Sequence, residues 1–394
     1  MKGKFAPNPQ LRGVKRVRRL LLLAATALIG ATSPAEQVSV GYVPVDKDER
    51  GLWMQVEEYE RTLKHSAFVM SDASLNAYVR DVFCRTVGQV ECKDVRIYLT
   101  RTPYFNASMA PNGMMQVYSG LFLRTRDEAQ FAAILGHEYT HYRNRHSIQL
   151  FRDIKKKLNA AVFLSVLDGG LLTGTALIGA IFENSREMEA EADAGSIPML
   201  VRAGYDPHAA SLVWEQLRAE MDATALARNK KSRKDKNGGI FASHPPTLER
   251  MTALKALADK AMPTGTTNNR RTEYMAALRP FWADFVDDQV KLNDFGGTEF
   301  LLTSLATEGW TPALYYARGE LYRSRGKPED LPKAAEFYRQ AIAGTGAPVE
   351  AYRGLGLALL RSGAPVEGKA ALNDYIAKRP DAPDRAMMAM LAGG

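Results

Sequence analysis

From residue 49 to residue 90, apolar and polar positions alternate at helical spacing, as in LNAYVRDVF. Two short stretches rich in β-branched and aromatic residues follow, 95–100 (VRIYLT) and 113–120 (GMMQVYSG), with Pro103, Pro111, Asn112 and Gly113 punctuating between them. That pattern predicts two strands. Thr125 and Glu128 have the spacing of a capping box, so the next helix is expected to start near Arg126. Helical patterning continues to about Met262, the stretch 263–270 (PTGTTNNR) reads as a linker, and from Arg271 onward every pattern is helical. The expected class is α+β: a mainly helical domain with a small sheet over 36–262, then an all-α domain over 271–394.

The tail carries a repeat. Tyr352, Leu355, Gly356, Leu359, Gly368, Leu372 and Pro380 fall at the spacings of a tetratricopeptide (TPR) unit, with Tyr375 where a small residue is usual. Tyr315, Gly319, Tyr322, Ala334, Tyr338 and Ala341 take the same roles one unit earlier. Stacking needs about three repeats to bury a continuous core, so the helices over 273–305 are expected to supply a degenerate first unit. Such arrays bind protein segments, and a protein partner is expected here.

Charge changes the picture only at the N-terminus. The net charge of +8 suggests a nucleic-acid or membrane partner until its location is considered. Lys2, Lys4, Arg12, Lys15, Arg16, Arg18 and Arg19 precede an apolar run, LLLLAATALIGA, and a small-residue Ser33-Pro34-Ala35 site. This is the build of an export signal over 1–35, the alternative being an uncleaved anchor. Cleavage after Ala35 removes seven of 52 basic residues and leaves 45 against 44 acidic ones, which removes the case for nucleic acid. Twin Arg18-Arg19 leaves the general and twin-arginine routes both open. A periplasmic location would let Cys84 and Cys92, the only cysteines, form a disulfide worth about 2 to 3 kcal/mol; two buried thiols are the alternative.

FAAILGHEYTHYRNRH, 131–146, holds the candidate chemistry. On a helix, His137 and His141 lie one turn apart on one face and can reach one ion, with Glu138 offset toward a bound water. His146, five residues past His141, is rotated off that face and reads as a surface or helix-end histidine. A hydrolytic zinc site wants a third protein ligand. In FENSREMEAEADAGSIPML, 182–200, Glu183, Glu187 and Glu191 form a solvated stripe, whereas Glu189 and Asp193 share the side carrying Ser185, Met188, Ala192 and Ser196. Glu189 is the expected third ligand and Asp193 the acceptor for a ligand histidine's spare N–H; a buried carboxylate–arginine pair with Arg186 is the alternative.

GHEYTH followed by SREMEAEAD resembles the HExxH and SRxxExxAD pair of the gluzincin metallopeptidases related to HtpX and the CAAX prenyl proteases. NASMAPNGMMQVYSGLF, YDPHAA and SHPPTLER resemble further stretches there, so the likeness covers roughly 56–259. With an export signal before it and repeats behind it, the whole chain is similar to periplasmic metalloproteases of Gram-negative envelopes that handle outer-membrane proteins. Arg318, at a usual leucine position of the repeat, departs from the pattern. The resemblance implies a zincin-type domain and one Zn²⁺ held by His137, His141 and Glu189, with Glu138 as general base. It also implies polypeptide substrates, unfolded or misassembled. The strand MMQVYS is expected to be the edge on which an extended substrate pairs. A chaperone or adaptor with a vestigial site is the competing reading; intact His137, Glu138, His141 and Glu189 speak against it.

Two further stretches carry expectations. AAVFLSVLDGGLLTGTALIGAIF, 160–182, cannot cross a bilayer once, because His141 and Glu189 flank it and must meet one ion. It is expected to be a helical hairpin that packs beside the site or dips into a membrane surface. His244, in GIFASHPPTLER behind the basic stretch 227–239, is expected to complete the catalytic site, as oxyanion donor or as fourth metal ligand; a surface histidine is the alternative.

Overall fold

The helical pattern of 49–90 becomes two helices, α1 (Lys47–Lys64) and α2 (Ala73–Val87). Each is started by an aspartate: Asp46 accepts from the backbone N–H groups of Asp48 and Glu49, and Asp72 from that of Leu75. The structure is a computed structural model that describes residues 37–157, 185–232, 244, 247–262, 265–306 and 309–393. The stretch 1–35 expected as an export signal, the stretch 160–182 expected as a hairpin and residues 233–239 of the basic stretch lie outside the described residues. Among those described, no helix is long and apolar enough to cross a membrane. Cys84, in the last turn of α2, is bonded to Cys92, which decides for the disulfide over two thiols.

Three strands form the sheet where two were expected: β1 (Arg96–Thr100), β2 (Ala107–Met109) and β3 (Met114–Tyr118). β2 has only three residues, too few for alternation to register. The strand order is β1-β3-β2, with β3 parallel to β1 and antiparallel to β2. MMQVYS is therefore the central strand, and the expectation that it is the substrate-pairing edge is wrong. The edge packed on the motif helix is β2. The β2–β3 turn closes with the Gly113 N–H donating to Ala110 O, and Gly113 at φ +84 takes a left-handed conformation that side chains disfavour.

A one-turn helix α3 (Ser119–Phe122) leads to α4 (Glu128–Arg143), in which every residue from Glu128 to Tyr142 is buried. The helix starts two residues later than expected, because the capping box does not form. Asp127 caps it instead, accepting from the Gln130 N–H. Glu128 is held by Arg85, Tyr78 and Tyr205, and the Thr125 hydroxyl by Leu121 O and Tyr274, so neither is free to cap. After α4 come α5 (His146–Lys157), α6 (Arg186–Arg202), α7 (Ala209–Ala227) and α8 (Leu248–Ala261). Then α9 (Arg271–Leu278), α10 (Trp282–Val290) and α11 (Phe295–Leu305) precede α12 (Pro312–Arg325), α13 (Asp330–Ala343), α14 (Glu350–Arg361), α15 (Pro365–Lys378) and α16 (Arg385–Ala392).

One hydrophobic core runs from Leu75 on α2 through α4, α6 and α7 to Leu321 on α12. From α12 onward each helix packs on the next. Gly319 and Gly354 make room there for the buried Tyr338 ring, since a Cβ at either would lie within about 2.6 Å of it.

Candidate metal centre

Helices α4 and α6 bring the motif residues together, and small residues set how closely they approach. A Cβ on Gly195 would lie 2.5 Å from the Thr140 methyl, so glycine permits that approach. On α6, Glu189, Ala192, Asp193 and Ser196 are buried while Glu187 and Glu191 are exposed, as the separation of faces predicts. Ser185 is exposed and caps α6, accepting from the Met188 N–H. Glu183 lies outside the described residues.

His137 Nε2 and His141 Nε2 are 3.0 Å apart, and the Glu189 carboxylate lies 3.5 Å from the first and 3.4 Å from the second. His244 joins them: its Nδ1 is 2.9 Å from Glu189 Oε1 and 3.4 Å from His137 Nε2. One potential ligand atom from each of the four residues falls within a 4.8 Å sphere of mutual distances, and all four are buried. Two imidazoles, a carboxylate and a further imidazole form a donor set that suits a divalent transition metal, zinc above all. Glu138, next to His137, faces His244 Nε2 at 3.3 Å.

Each ligand candidate has a distinct backing. Asp193 Oδ1 lies 3.0 Å from His137 Nδ1, close enough for its charge to act on the ring though off the hydrogen-bond axis. Asp193 is in turn clamped by Arg250 on α8, with Nη2 at 2.8 Å and Nε at 2.9 Å. Arg250 Nη1 also reaches Glu189 Oε2 at 2.8 Å, and the guanidinium stacks 4.3 Å from the centre of the Trp214 ring. The carboxylate–arginine pair anticipated with Arg186 is thus made by Arg250, while Arg186 is exposed.

The electrostatics follow from burial and these neighbours. Burial works against a proton on His137, but Asp193 and Glu189 outweigh it and push the ring up to about 9. At His141 burial outweighs the opposing pull of Glu189 and drives the ring down to about 3, and the neighbouring His137 and His244 charges reinforce it. Burial opposes ionisation of Glu189 as well, yet His244 and Arg250 hold it well below the usual carboxylate range. Glu138 is raised, by burial first, toward the range of a useful general base.

Two residues escaped sequence reasoning. His146 is 1% exposed and presents Nδ1 2.7 Å from His141 Nδ1, so it stands at a helix end, as one expectation had it, but not on the surface. That expectation assumed α4 continued; the helix stops at Arg143, and Arg145 at φ 59 turns the chain back. Arg250 had a readable signal. With Leu254 and Ala258 it forms a three-residue stripe at every fourth position, an arginine at the head of a buried face.

Comparison with known proteins agrees with this geometry. Residues 70–258 match Peptidase family M48. That segment, just under half of the chain, is similar to the family. The chain is 25% identical to the mitochondrial metalloendopeptidase OMA1 of Schizosaccharomyces pombe, over 70% of this chain and 82% of that one. It is 33% identical to OMA1 of Arabidopsis thaliana over 40% of this chain and 30% of the relative. It is also 26% identical to the beta-barrel assembly-enhancing protease of Escherichia coli, over half of this chain and 45% of the relative. The chain thus spans less than half the length of the last two. The match and these relatives support a metallopeptidase.

Proposed function

We propose that this chain is an exported zinc endopeptidase that hydrolyses unfolded or misassembled envelope polypeptides in the periplasm, with the TPR-like helices from α9 onward recruiting substrate or a partner protein. The observation that carries the catalytic part is the convergence of His137 Nε2, His141 Nε2 and Glu189 beside Glu138 in a buried site. In this reading His137, His141 and Glu189 would hold one zinc, which would supply Lewis acidity and a more acidic water. Glu138 takes the water's proton and returns it to the leaving amine. Asp193, itself fixed by Arg250, would act on the His137 ring through its charge.

The substrate would lie along β2. Among the described residues this strand pairs only with β3, so its other edge offers backbone groups to an extended chain. Beside it, Phe105, Asn106, Ala107, Ile134 and Trp214 line a narrow recess of about 10 Å³ that reaches His137, Glu138 and His244. The export-signal pattern over 1–35 supports the compartment, and the name of the Escherichia coli relative, a beta-barrel assembly-enhancing protease, supports the substrate class.

His244 touches both Glu138 and Glu189, which favours the fourth-ligand role over the oxyanion role in this conformation. Peptide cleavage by His244→Ala should then rise. A fall of about 10²-fold or more would assign it to oxyanion stabilisation instead. The whole reading is tested by casein cleavage before and after chelation: activity should vanish and return with zinc, and cleavage that ignores chelator would overturn it.

A further inference from the structure

We propose that His146 is a positioning residue for the metal centre: it fixes the tautomer and ring orientation of His141 through a His141–His146–Glu191 hydrogen-bond chain. The inference rests on His141 being a ligand. With Nε2 of His141 facing Glu189 and His137, its remaining proton must sit on Nδ1. That nitrogen lies 2.7 Å from His146 Nδ1, so His146 accepts there and carries its own proton on Nε2. His146 Nε2 is 3.2 Å from Glu191 Oε2, a carboxylate placed to accept it. Each donor thus meets one acceptor along the chain, and reversing any one tautomer would set two N–H groups or two lone pairs against each other.

The fold holds His146 there by the turn after α4. Asn144 N–H donates to Thr140 O and Arg145 N–H to Tyr142 O, ending the helix. Arg145 then adopts φ 59, and its guanidinium pairs with buried Glu49 and lies 5.1 Å from the centre of the Tyr42 ring. The chain re-enters α5 at His146 with the ring turned back on His141, at 4.9 Å between centroids and 76° between planes. His146 stays out of the ligand set, since it meets the far nitrogen of His141 and not the converging ones.

The two ligand histidines are therefore backed differently. His137 leans on a buried carboxylate off its N–H axis, whereas His141 has a neutral ring in line and an exposed carboxylate beyond it. Removing the in-line partner should loosen the metal more than removing the exposed end.

The test is zinc affinity by competition with a chromophoric chelator, with cobalt absorption as a second readout. His146→Phe should weaken zinc by about 10- to 100-fold, as loss of such outer partners does, and change the cobalt band. His146→Gln, whose amide oxygen can accept from His141, should recover most of the affinity. Glu191→Gln, at an exposed position, should cost less than about threefold. Affinity unchanged within twofold in His146→Phe, or equal loss in the Phe and Gln variants, would overturn the inference. Glu189→Ala separates the two claims: if it too keeps full affinity, the ligand assignment fails; if it loses the metal, only the role of His146 is removed.

Discussion

Two buried polar clusters in this chain look alike by composition and differ in their charge. In the C-terminal helices, Glu320 accepts from Tyr338 OH at 2.6 Å and is paired with Arg323, while Asp330 is held by both nitrogens of Arg325 at 2.7 and 2.6 Å. Each buried carboxylate there has its own guanidinium. In the candidate metal centre, Glu189 and Asp193 share one guanidinium, that of Arg250, while Glu138 faces the His244 imidazole. Isolated buried charge is costly: the first cluster is balanced by fixed guanidinium groups, whereas the second has too few of them and makes up part of the deficit with a proton on His137. A divalent cation would take that proton's place. Local neutrality, more than the presence of acids and bases, distinguishes a structural cluster from a chemical one.

The comparison can be broken most sharply at Arg250. Arg250→Leu leaves Asp193 and Glu189 without their cation, and the metal-free protein should lose about 3 to 5 kcal/mol in denaturant unfolding. Saturating zinc should restore part of that loss, because the ion offsets the same carboxylates; no effect of zinc would deny that the two share a charge deficit. Glu320→Gln should cost less, about 1 to 3 kcal/mol, since it removes charge from a satisfied group. Zinc affinity and casein turnover should stay at the wild-type level. A change in either would mean that the two clusters are coupled.

How much of this could be read beforehand depends on the range of the interactions. His137, Glu138 and His141 are set by one helix, where spacing alone fixes the face. Glu189 and Asp193 were separable from Glu187 and Glu191 by the same rule on α6, and Cys84 and Cys92 by proximity. The failures came where the chain changes direction or a strand is very short. His146 was misplaced because the left-handed turn at Arg145 leaves no periodic trace. β2 went unseen at three residues, and the central position of β3 follows from pairing partners that no local pattern shows. Arg250 lies 57 residues from Asp193, and only the fold brings them together.

The central claim is that His137, His141 and Glu189 bind the ion while Glu138 does the proton transfer, and metal analysis of two variants alongside casein cleavage tests it most directly. Glu138→Gln should retain about one zinc per chain and lose about 10²- to 10⁴-fold in turnover, because the ligands survive and the base does not. Glu189→Ala should lose both metal and activity. Full zinc occupancy with wild-type turnover in Glu189→Ala would contradict the account.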